Sequence, residues 1–320
     1  MKNLNKILQI IQKHKSFILS THVNPDPDAL CSELALAAYL RSINKKVRII
    51  NDEELTQRFQ FLPGAKMIKC VSSIKIENYD VLIVVDCGDL ERIGKVKDII
   101  DNQKIIINID HHITNDYFGD INLVEPKASS TAEILFELLV KGGCKFTKSI
   151  AQNLYAGIMT DTGCFRYNNT TSKTHKIVSE LCVYPFSPSD LYKRFYESVP
   201  LSDLKEFTKV VSRFEDYFQK KYVVVELSKK TESKFSDNFD LRDAIFKYLR
   251  SIEEAEVFVI LTENKKSLTR VNFRSSGRVN VGRLAQVFNG GGHHNASGGV
   301  IYKNISDAKR MVESEVRKII

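Results

Sequence analysis

Thr21-His22-Val23-Asn24-Pro25-Asp26-Pro27-Asp28-Ala29 places one imidazole and two carboxylates within seven residues. The apolar run Phe17-Ile18-Leu19 precedes it, and a helical pattern begins near Ala29. The segment reads as the carboxyl end of a strand turning into a helix, where open α/β sheets place their ligands. A turn rich in Asn, Asp and Pro has the same composition for purely conformational reasons, so this stretch alone leaves both readings open. Asp26 and Asp28 alternate along the chain. In an extended loop they would face different ways, one toward one metal ion and the other toward a second.

Working outward, Val47-Arg48-Ile49-Ile50, Val81–Val85, residues 105–109 and, more weakly, Ile121–Val124 read as buried parallel strands. Helical patterns lie between and after them. Residues 29–42 carry Leu30, Leu34, Ala37 and Ala38, and Thr131–Lys141 carries Ile134, Leu135, Leu138 and Leu139 behind Ser129-Ser130. This alternation predicts an α/β fold with a doubly wound parallel sheet. Residues 150–159 and 173–182 then read as helices, followed by the breaker cluster Val183-Tyr184-Pro185-Phe186-Ser187-Pro188-Ser189. A helical connector runs on to residue 211, apart from Pro200. From Phe214 the texture changes, with strands expected at 222–227, 257–261 and 267–273 and helices at 242–249, 281–288 and 306–320. The expected organisation is a catalytic domain over 1–185, a helical connector over 186–213 and a smaller α/β domain over 214–320.

A length of 320 residues suits two domains. With 43% hydrophobic and 27% charged residues the composition is that of an ordinary soluble globular protein. No apolar run reaches the roughly 18 to 20 residues needed to span a bilayer. The first 15 residues are interrupted by Lys2, Lys6, Lys13 and Lys15 and read as an amphipathic helix rather than a secretory signal. The cysteines, Cys31, Cys70, Cys87, Cys144, Cys164 and Cys182, contain no Cys-x-x-Cys pair, which excludes a zinc ribbon or thioredoxin motif. Their scatter fits a reducing cytoplasm. The net charge of +8 fits a polyanionic partner, although the cations are dispersed and a general preference for Lys, Ile and Asn accounts for it equally well.

Three further segments repeat the opening design. Val84-Val85-Asp86 ends a strand in a carboxylate, and Ile109-Asp110-His111-His112 ends another in an Asp and two His. Thr160-Asp161-Thr162-Gly163 ends a helical stretch in a carboxylate. Taken singly, these are a helix cap, a polar loop and a turn. In a parallel sheet, however, the strand carboxyl ends share one edge, so His22, Asp26, Asp28, Asp86 and His111 are expected to converge there. Clustered acids and imidazoles repel and desolvate one another without cations. More carboxylate than imidazole, and no thiolate motif, favours Mn²⁺. Two ions sharing a carboxylate sit about 3.5–4 Å apart, acidify a water between them and neutralise a phosphoryl group.

The set Thr21-His22-x-x-Pro25-Asp26-x-Asp28-Ala29-x-x-Ser32, Asp86, Asp110-His111-His112 and Asp161 resembles the four motifs of the DHH phosphoesterase superfamily. Gly290-Gly291-Gly292-His293-His294-Asn295-Ala296-Ser297-Gly298 resembles the signature of its DHH-associated C-terminal domain. Together they span nearly the whole chain in the superfamily's order, and the short two-domain layout is similar to the nanoRNase and phosphoadenosine-phosphate phosphatase branch. That resemblance implies that His22, Asp26 and Asp86 hold one Mn²⁺. Asp28, Asp86, His111 and Asp161 would hold a second, with Asp86 bridging and Mg²⁺ or Co²⁺ as substitutes. It places three residues in the catalytic machinery: Asp86, His112 facing the scissile phosphate, and Asp110 fixing an imidazole through a carboxylate hydrogen bond. Cys31 departs from the small residue usual at its position and is expected just behind the site. Small buried filler is the favoured reading of Cys31, Cys87 and Cys164, with a redox-sensitive site as the alternative.

Three consecutive glycines exceed what a helix stop needs, and bare backbone N–H groups can form an anion nest. His293 and Ser297 add donors, and Arg274 adds a guanidinium fork. By the resemblance, Gly290, Gly291, Gly292, His293, Ser297 and Arg274 grip the substrate nucleotide and its terminal phosphate across an interdomain cleft, which favours short oligonucleotides. Arg270 and Arg278 read first as solvated surface. The activity implied is hydrolysis of short RNA to nucleoside monophosphates, and of 3′-phosphoadenosine 5′-phosphate to AMP. The partners are short RNA oligonucleotides and small phosphorylated nucleotides, with no membrane; a homodimer is left open. The nearest rival substrate is cyclic or linear di-adenylate. A RecJ-like exonuclease would need a further nucleic-acid-binding domain, and a family II pyrophosphatase would lack the glycine–His signature. A non-catalytic nucleotide sensor would be expected to lose metal ligands, and none is lost.

Overall fold

Val81-Leu82-Ile83-Val84-Val85 is buried at every position, as a strand covered on both faces must be. It is one of six strands in the first of two units, Met1–Phe195 and Tyr196–Ile320. The computed structural model describes residues 2–75, 77–101, 103–236, 239–265, 267–292 and 294–320. The strands of the first unit are β1 (Ser16–Ser20), β2 (Lys46–Asn51), β3 (Ile68–Cys70), β4 (Val81–Val85), β5 (Ile105–Asp110) and β6 (Ile121–Val124). Every neighbouring pair is parallel, in the order β3-β2-β1-β4-β5-β6. All carboxyl ends therefore share one edge. The order reverses between β1 and β4, which opens a crevice just past their ends.

The helices of this unit are α1 (Lys2–Lys13), α2 (Pro27–Ser42), α3 (Thr131–Lys141), α4 (Lys148–Asp161) and α5 (Ser172–Leu181). α1 buries Leu4, Ile7 and Ile11 along one face. α2 is buried at nearly every position from Asp28 to Leu40, because α3 and α4 pack on it as well as the sheet; a helix apolar nearly all round is a core helix. It starts two residues earlier than the sequence suggested, with Asp26 as its cap and Pro27 in its first turn. The helix expected through residue 211 is broken into α6 (Pro188–Tyr196) and α7 (Leu201–Val211), with Pro200 at the cap of α7, where its missing N–H leaves no helical bond unmade.

The second unit adds β7 (Glu215–Tyr217), β8 (Tyr222–Leu227), α8 (Lys229–Glu232), α9 (Leu241–Leu249), β9 (Val257–Lys265), β10 (Leu268–Ser275), α10 (Val281–Gln286), β11 (Gly291–Gly292), β12 (Ala296–Ile301) and α11 (Ile305–Val316). The sheet is mixed, ordered β11-β12-β10-β9-β8-β7, with β8 and β9 parallel and β9–β10 and β10–β12 antiparallel. Side-chain alternation divides its core. Tyr222, Val224, Val259 and Phe273 pack with α10 and α11. Val223, Val225, Phe258 and Ile260 pack with α7 and α9. β11 and β12 fall in the glycine-rich stretch that the sequence suggested was loop. Among the described residues no helix is long and apolar enough to cross a membrane.

Candidate metal centre

The site is built where β1 and β4 end side by side. Thr21 Oγ1 donates to the Val85 carbonyl at 2.8 Å and ties the two strand ends together. His22 follows. Its Nδ1 lies 2.8 Å from the Val23 carbonyl, which only accepts, so Nδ1 is the donor and in the neutral ring Nε2 is the nitrogen that carries the lone pair. That Nε2 lies 3.8 Å from Asp86 Oδ2. Asp26 is exposed and caps α2 by accepting Ala29 N–H at 3.0 Å, a use that leaves its other oxygen facing outward as a candidate ligand.

Asp28 is not in an extended loop as the sequence suggested; it lies in the first turn of α2. The two carboxylates diverge because residues two apart at a helix start do not share a face. Asp28 is buried, and its Oδ2 accepts Thr131 N–H at 2.7 Å while Oδ1 accepts Ala132 N–H at 3.1 Å. Gly157 of α4 makes the room: a Cβ there would sit 2.5 Å from Asp28 Oδ1. Asp86 caps the end of β4 with φ at +54°, a left-handed backbone that Asp adopts more readily than most residues. Its Oδ1 accepts the Thr131 hydroxyl at 2.8 Å. His111 Nε2 lies 3.6 Å from that same oxygen and 3.6 Å from Oδ2 of Asp161, the last residue of α4.

The expected ligands therefore come together in two groups, His22, Asp26 and Asp86, and Asp28, His111 and Asp161, each with its donor atoms within 4.8 Å of one another. Asp86 also groups with His111 and His112. The donor set fits divalent cations. The Nε2 atoms of His22 and His111 lie 3.6–3.8 Å from carboxylate oxygens, too far to hydrogen-bond, and mixed imidazole and carboxylate donors are the ligand types divalent metals take. Burial pushes the Asp28 carboxyl well up, and the charges of Asp86, Asp161 and Asp26 add to this. Burial raises Asp86 too, helped by Asp26 and opposed by the three imidazoles. Burial brings Asp161 to about 7. No Lys or Arg among the described residues pairs with these carboxylates. Cations would relieve that strain.

Behind the ligands, Asp110 is fully buried, with Oδ1 2.7 Å from His112 Nδ1 and Oδ2 accepting Asn115 Nδ2 at 2.6 Å. Burial works against the Asp110 carboxylate, but the His112 hydrogen bond and charge and the Asn115 donor prevail and hold it below its usual range. For His112 burial likewise opposes the charge, while the Asp110 bond and the Asp86 charge raise it to about 9. The Asp110 bond thus favours the imidazolium form of His112, with Nδ1 committed to Asp110. Asn115 also donates to Asn108 Oδ1 at 2.8 Å, and Asn108 donates to the Cys87 carbonyl at 3.0 Å. Sequence reasoning missed Asn108, Asn115 and Thr131. Asn108 did leave a signal: an amide in the apolar run Ile105-Ile106-Ile107-Asn108-Ile109 needs a buried partner. Cys31 and Cys87 are buried. Burial, then the Asp28 and Asp26 charges, push the Cys31 thiol well up, and burial takes Cys87 to about 12, as suits neutral filler. Cys164 is half-buried.

In the second unit, β11 pairs with β12. A side chain at Gly290 would strike the Gly298 carbonyl, and one at Gly292 (φ +142°) would lie 2.5 Å from the Ala296 carbonyl. Gly291 meets open space. Close backbone approach thus explains two of the three glycines. Arg274 is half-buried, with its guanidinium 4.8 Å above the Phe246 ring and Nη1 donating to the Phe273 carbonyl at 3.1 Å. Ser297 is buried and its hydroxyl donates to the Val281 carbonyl at 2.5 Å, an internal use. His293 lies outside the described residues. Arg270 is exposed, and Arg278 is exposed and pairs with Glu256.

A parallel sheet that gathers Asp and His at its switch point, followed by a unit with a glycine-rich strand pair, defines a DHH-type phosphoesterase architecture. Residues 16–158 match the DHH family, N-terminal domain, and residues 219–318 match the DHHA1 domain. The chain belongs to the DHH family. It is 31% identical over 309 residues to the bifunctional oligoribonuclease and PAP phosphatase NrnA of Bacillus subtilis, covering 93% of each chain. To the protein of that description from Thermus thermophilus it is 30% identical, covering 88% of this chain and 83% of that one. The crystal structure of an exopolyphosphatase-related protein from Bacteroides fragilis superimposes with a TM-score of 0.92 at 29% identity, covering 99% of this chain and 96% of that one.

Proposed function

We propose that the chain is a two-metal, Mn²⁺-dependent phosphodiesterase and phosphatase. It hydrolyses short oligoribonucleotides to nucleoside monophosphates and 3′-phosphoadenosine 5′-phosphate to AMP. The observation that carries this reading is the pair of ligand groups at the sheet's switch point, His22–Asp26–Asp86 and Asp28–His111–Asp161, with Asp86 Oδ1 only 3.6 Å from His111 Nε2 of the second group. The full-length similarity to relatives described as bifunctional oligoribonucleases and PAP phosphatases supports the substrate class. His22, Asp26 and Asp86 would hold one ion, and Asp28, Asp86, His111 and Asp161 the other. Bound there, the ions would activate water at neutral pH and neutralise the phosphoryl group. The protein's own part follows from its geometry. His22 Nδ1–H on a carbonyl fixes the tautomer that presents Nε2. Asp110 keeps His112 charged, so His112 offers a cation to the non-bridging oxygens of the scissile phosphate. Gly290, Gly291, Gly292, His293 and Arg274 would grip the nucleotide, with Ser297 shaping the strand behind them. Six cysteines with no disulfide between them fit a reducing, cytoplasmic setting.

The test is a panel of dinucleotides, longer RNA, 3′-phosphoadenosine 5′-phosphate and cyclic di-AMP, each incubated with protein and Mn²⁺ and resolved by chromatography. Nucleoside monophosphates from dinucleotides and AMP from 3′-phosphoadenosine 5′-phosphate are expected. Turnover of cyclic di-AMP alone would move the assignment to that substrate, and no turnover of any would leave a sensor.

A further inference from the structure

The first four N–H groups of a helix have no partner within it. In α3, Ser130 Oγ accepts the Glu133 N–H at 3.1 Å. The Thr131 and Ala132 N–H groups point elsewhere, one to each oxygen of Asp28. This is a carboxylate seated on a helix N-terminus, a geometry that favours negative charge. Thr131 then makes a second contact: its hydroxyl donates to Asp86 Oδ1 at 2.8 Å, the same oxygen that faces His111. Thr131 is fully buried. A buried β-branched side chain has restricted freedom at χ1, so Oγ1 is held within hydrogen-bond reach of that oxygen.

We propose that Thr131 is the positioning residue that couples the two ligand groups, its hydroxyl orienting Asp86 and its backbone N–H orienting Asp28 before any cation arrives. This rests on the two-metal reading above. Its consequence is specific. Asp86 reaches toward both groups, so freeing its carboxylate weakens both sites rather than one. Partners of this kind behind ligating groups typically govern about 10–100-fold in metal affinity.

The experiment is a Mn²⁺ titration of metal-stripped full-length protein, read by calorimetry and by the electron paramagnetic resonance signal of unbound Mn²⁺, with no substrate present. Thr131→Val keeps the shape and removes the hydroxyl; Thr131→Ser keeps the hydroxyl. The expected result is binding weakened about 10–100-fold in the Val variant and largely restored in the Ser variant. A Val titration that superimposes on wild type, or a Ser variant as weak as Val, overturns the proposal. Thermal unfolding in chelator checks folding, and Thr131→Ala takes the place of Val if Val does not fold. Asp86→Asn, run alongside, separates the two levels. If it also binds Mn²⁺ like wild type, the metal-centre reading fails; if it loses Mn²⁺ while Thr131→Val does not, only the role of Thr131 fails.

Discussion

Asp86 sits among three imidazoles: it is 1% exposed, in a left-handed backbone and within 3.8 Å of His22, His111 and His112. Asp86→Asn keeps its shape and removes one negative charge from the His22 group and from beside His111 of the other. Turnover is expected to vanish and the manganese content, measured by plasma mass spectrometry, to fall; wild-type content with wild-type rate would remove Asp86 from the site. Gly157→Ala is the smaller perturbation. Its methyl would lie 2.5 Å from Asp28 Oδ1 and 2.8 Å from the Ala132 Cβ, so Asp28 must leave the end of α3. Weaker Mn²⁺ binding with His22 and Asp26 undisturbed is the expected outcome, and an unchanged titration would show that Asp28 tolerates the shift. Residues of this scale were legible in the sequence when they carried charge. His22, Asp26, Asp28, Asp86, His111 and Asp161 stood out because ionisable groups at strand and helix ends need a reason. Thr131 and Asn115 did not, because a neutral hydroxyl or amide acquires a role only from the atom it touches, 45 and 5 residues away.

Among the elements, α2 shows what patterning can and cannot convey. Its apolar positions mark a helix, but its burial on every side comes from α3 and α4, which the sequence does not place. On the same helix Glu33 is 0% exposed, and among the described residues its carboxyl is bonded by Asn51 Nδ2 of β2 at 2.9 Å. Burial raises the Glu33 carboxyl to about 8, against the pull of Asn51. In the unfolded chain it titrates near about 4.3. Between those values the folded state keeps a proton that the unfolded state has released. Stability from this group is therefore full below about pH 4.3 and falls as pH rises toward about 8, by roughly 1.4 kcal/mol per unit. Glu33→Gln carries no such proton. Relative to wild type it should gain stability steadily across that window, measured by denaturant unfolding at several pH values; a constant difference would mean that Glu33 is ionised in the fold. The elements that patterning missed are the short ones. β3 has three residues and β11 has two, too few for a period to register. β12 hides behind Ser297-Gly298-Gly299, where glycines taken for a loop admit the backbone of a neighbouring strand.

At the scale of the whole chain, candidate ligands spread from residue 22 to residue 161 meet because six parallel strands end at one edge, the order turns between β1 and β4, and α2 and α4 bring Asp28 and Asp161 to the same place. For His22, Asp26, Asp28, Asp86 and His111 that convergence followed from βα alternation, whereas Asp161, at the end of α4, and the strand order of the second unit did not. Bringing buried carboxylates together opposes folding unless cations bind, so metal removal should lower thermal stability. Free Mn²⁺ at a hundred times its dissociation constant adds roughly 2.7 kcal/mol, a rise of roughly 5–10 °C for a unit of this size. A melting temperature indifferent to chelator would contradict the centre. Metal loading and substrate recognition are also assigned to different units, and that division makes the last prediction. Arg274 belongs to β10, and its guanidinium is pre-oriented over the Phe246 ring. Losing a charge-assisted contact to phosphate weakens binding by about 1.5–3 kcal/mol, or about 10–100-fold. Arg274→Ala should therefore raise KM for a dinucleotide by about that factor while the manganese content stays at the wild-type value. If KM is unchanged, Arg274 does not touch the substrate. If manganese is lost as well, the two tasks are not separable in the way the two sheets suggest.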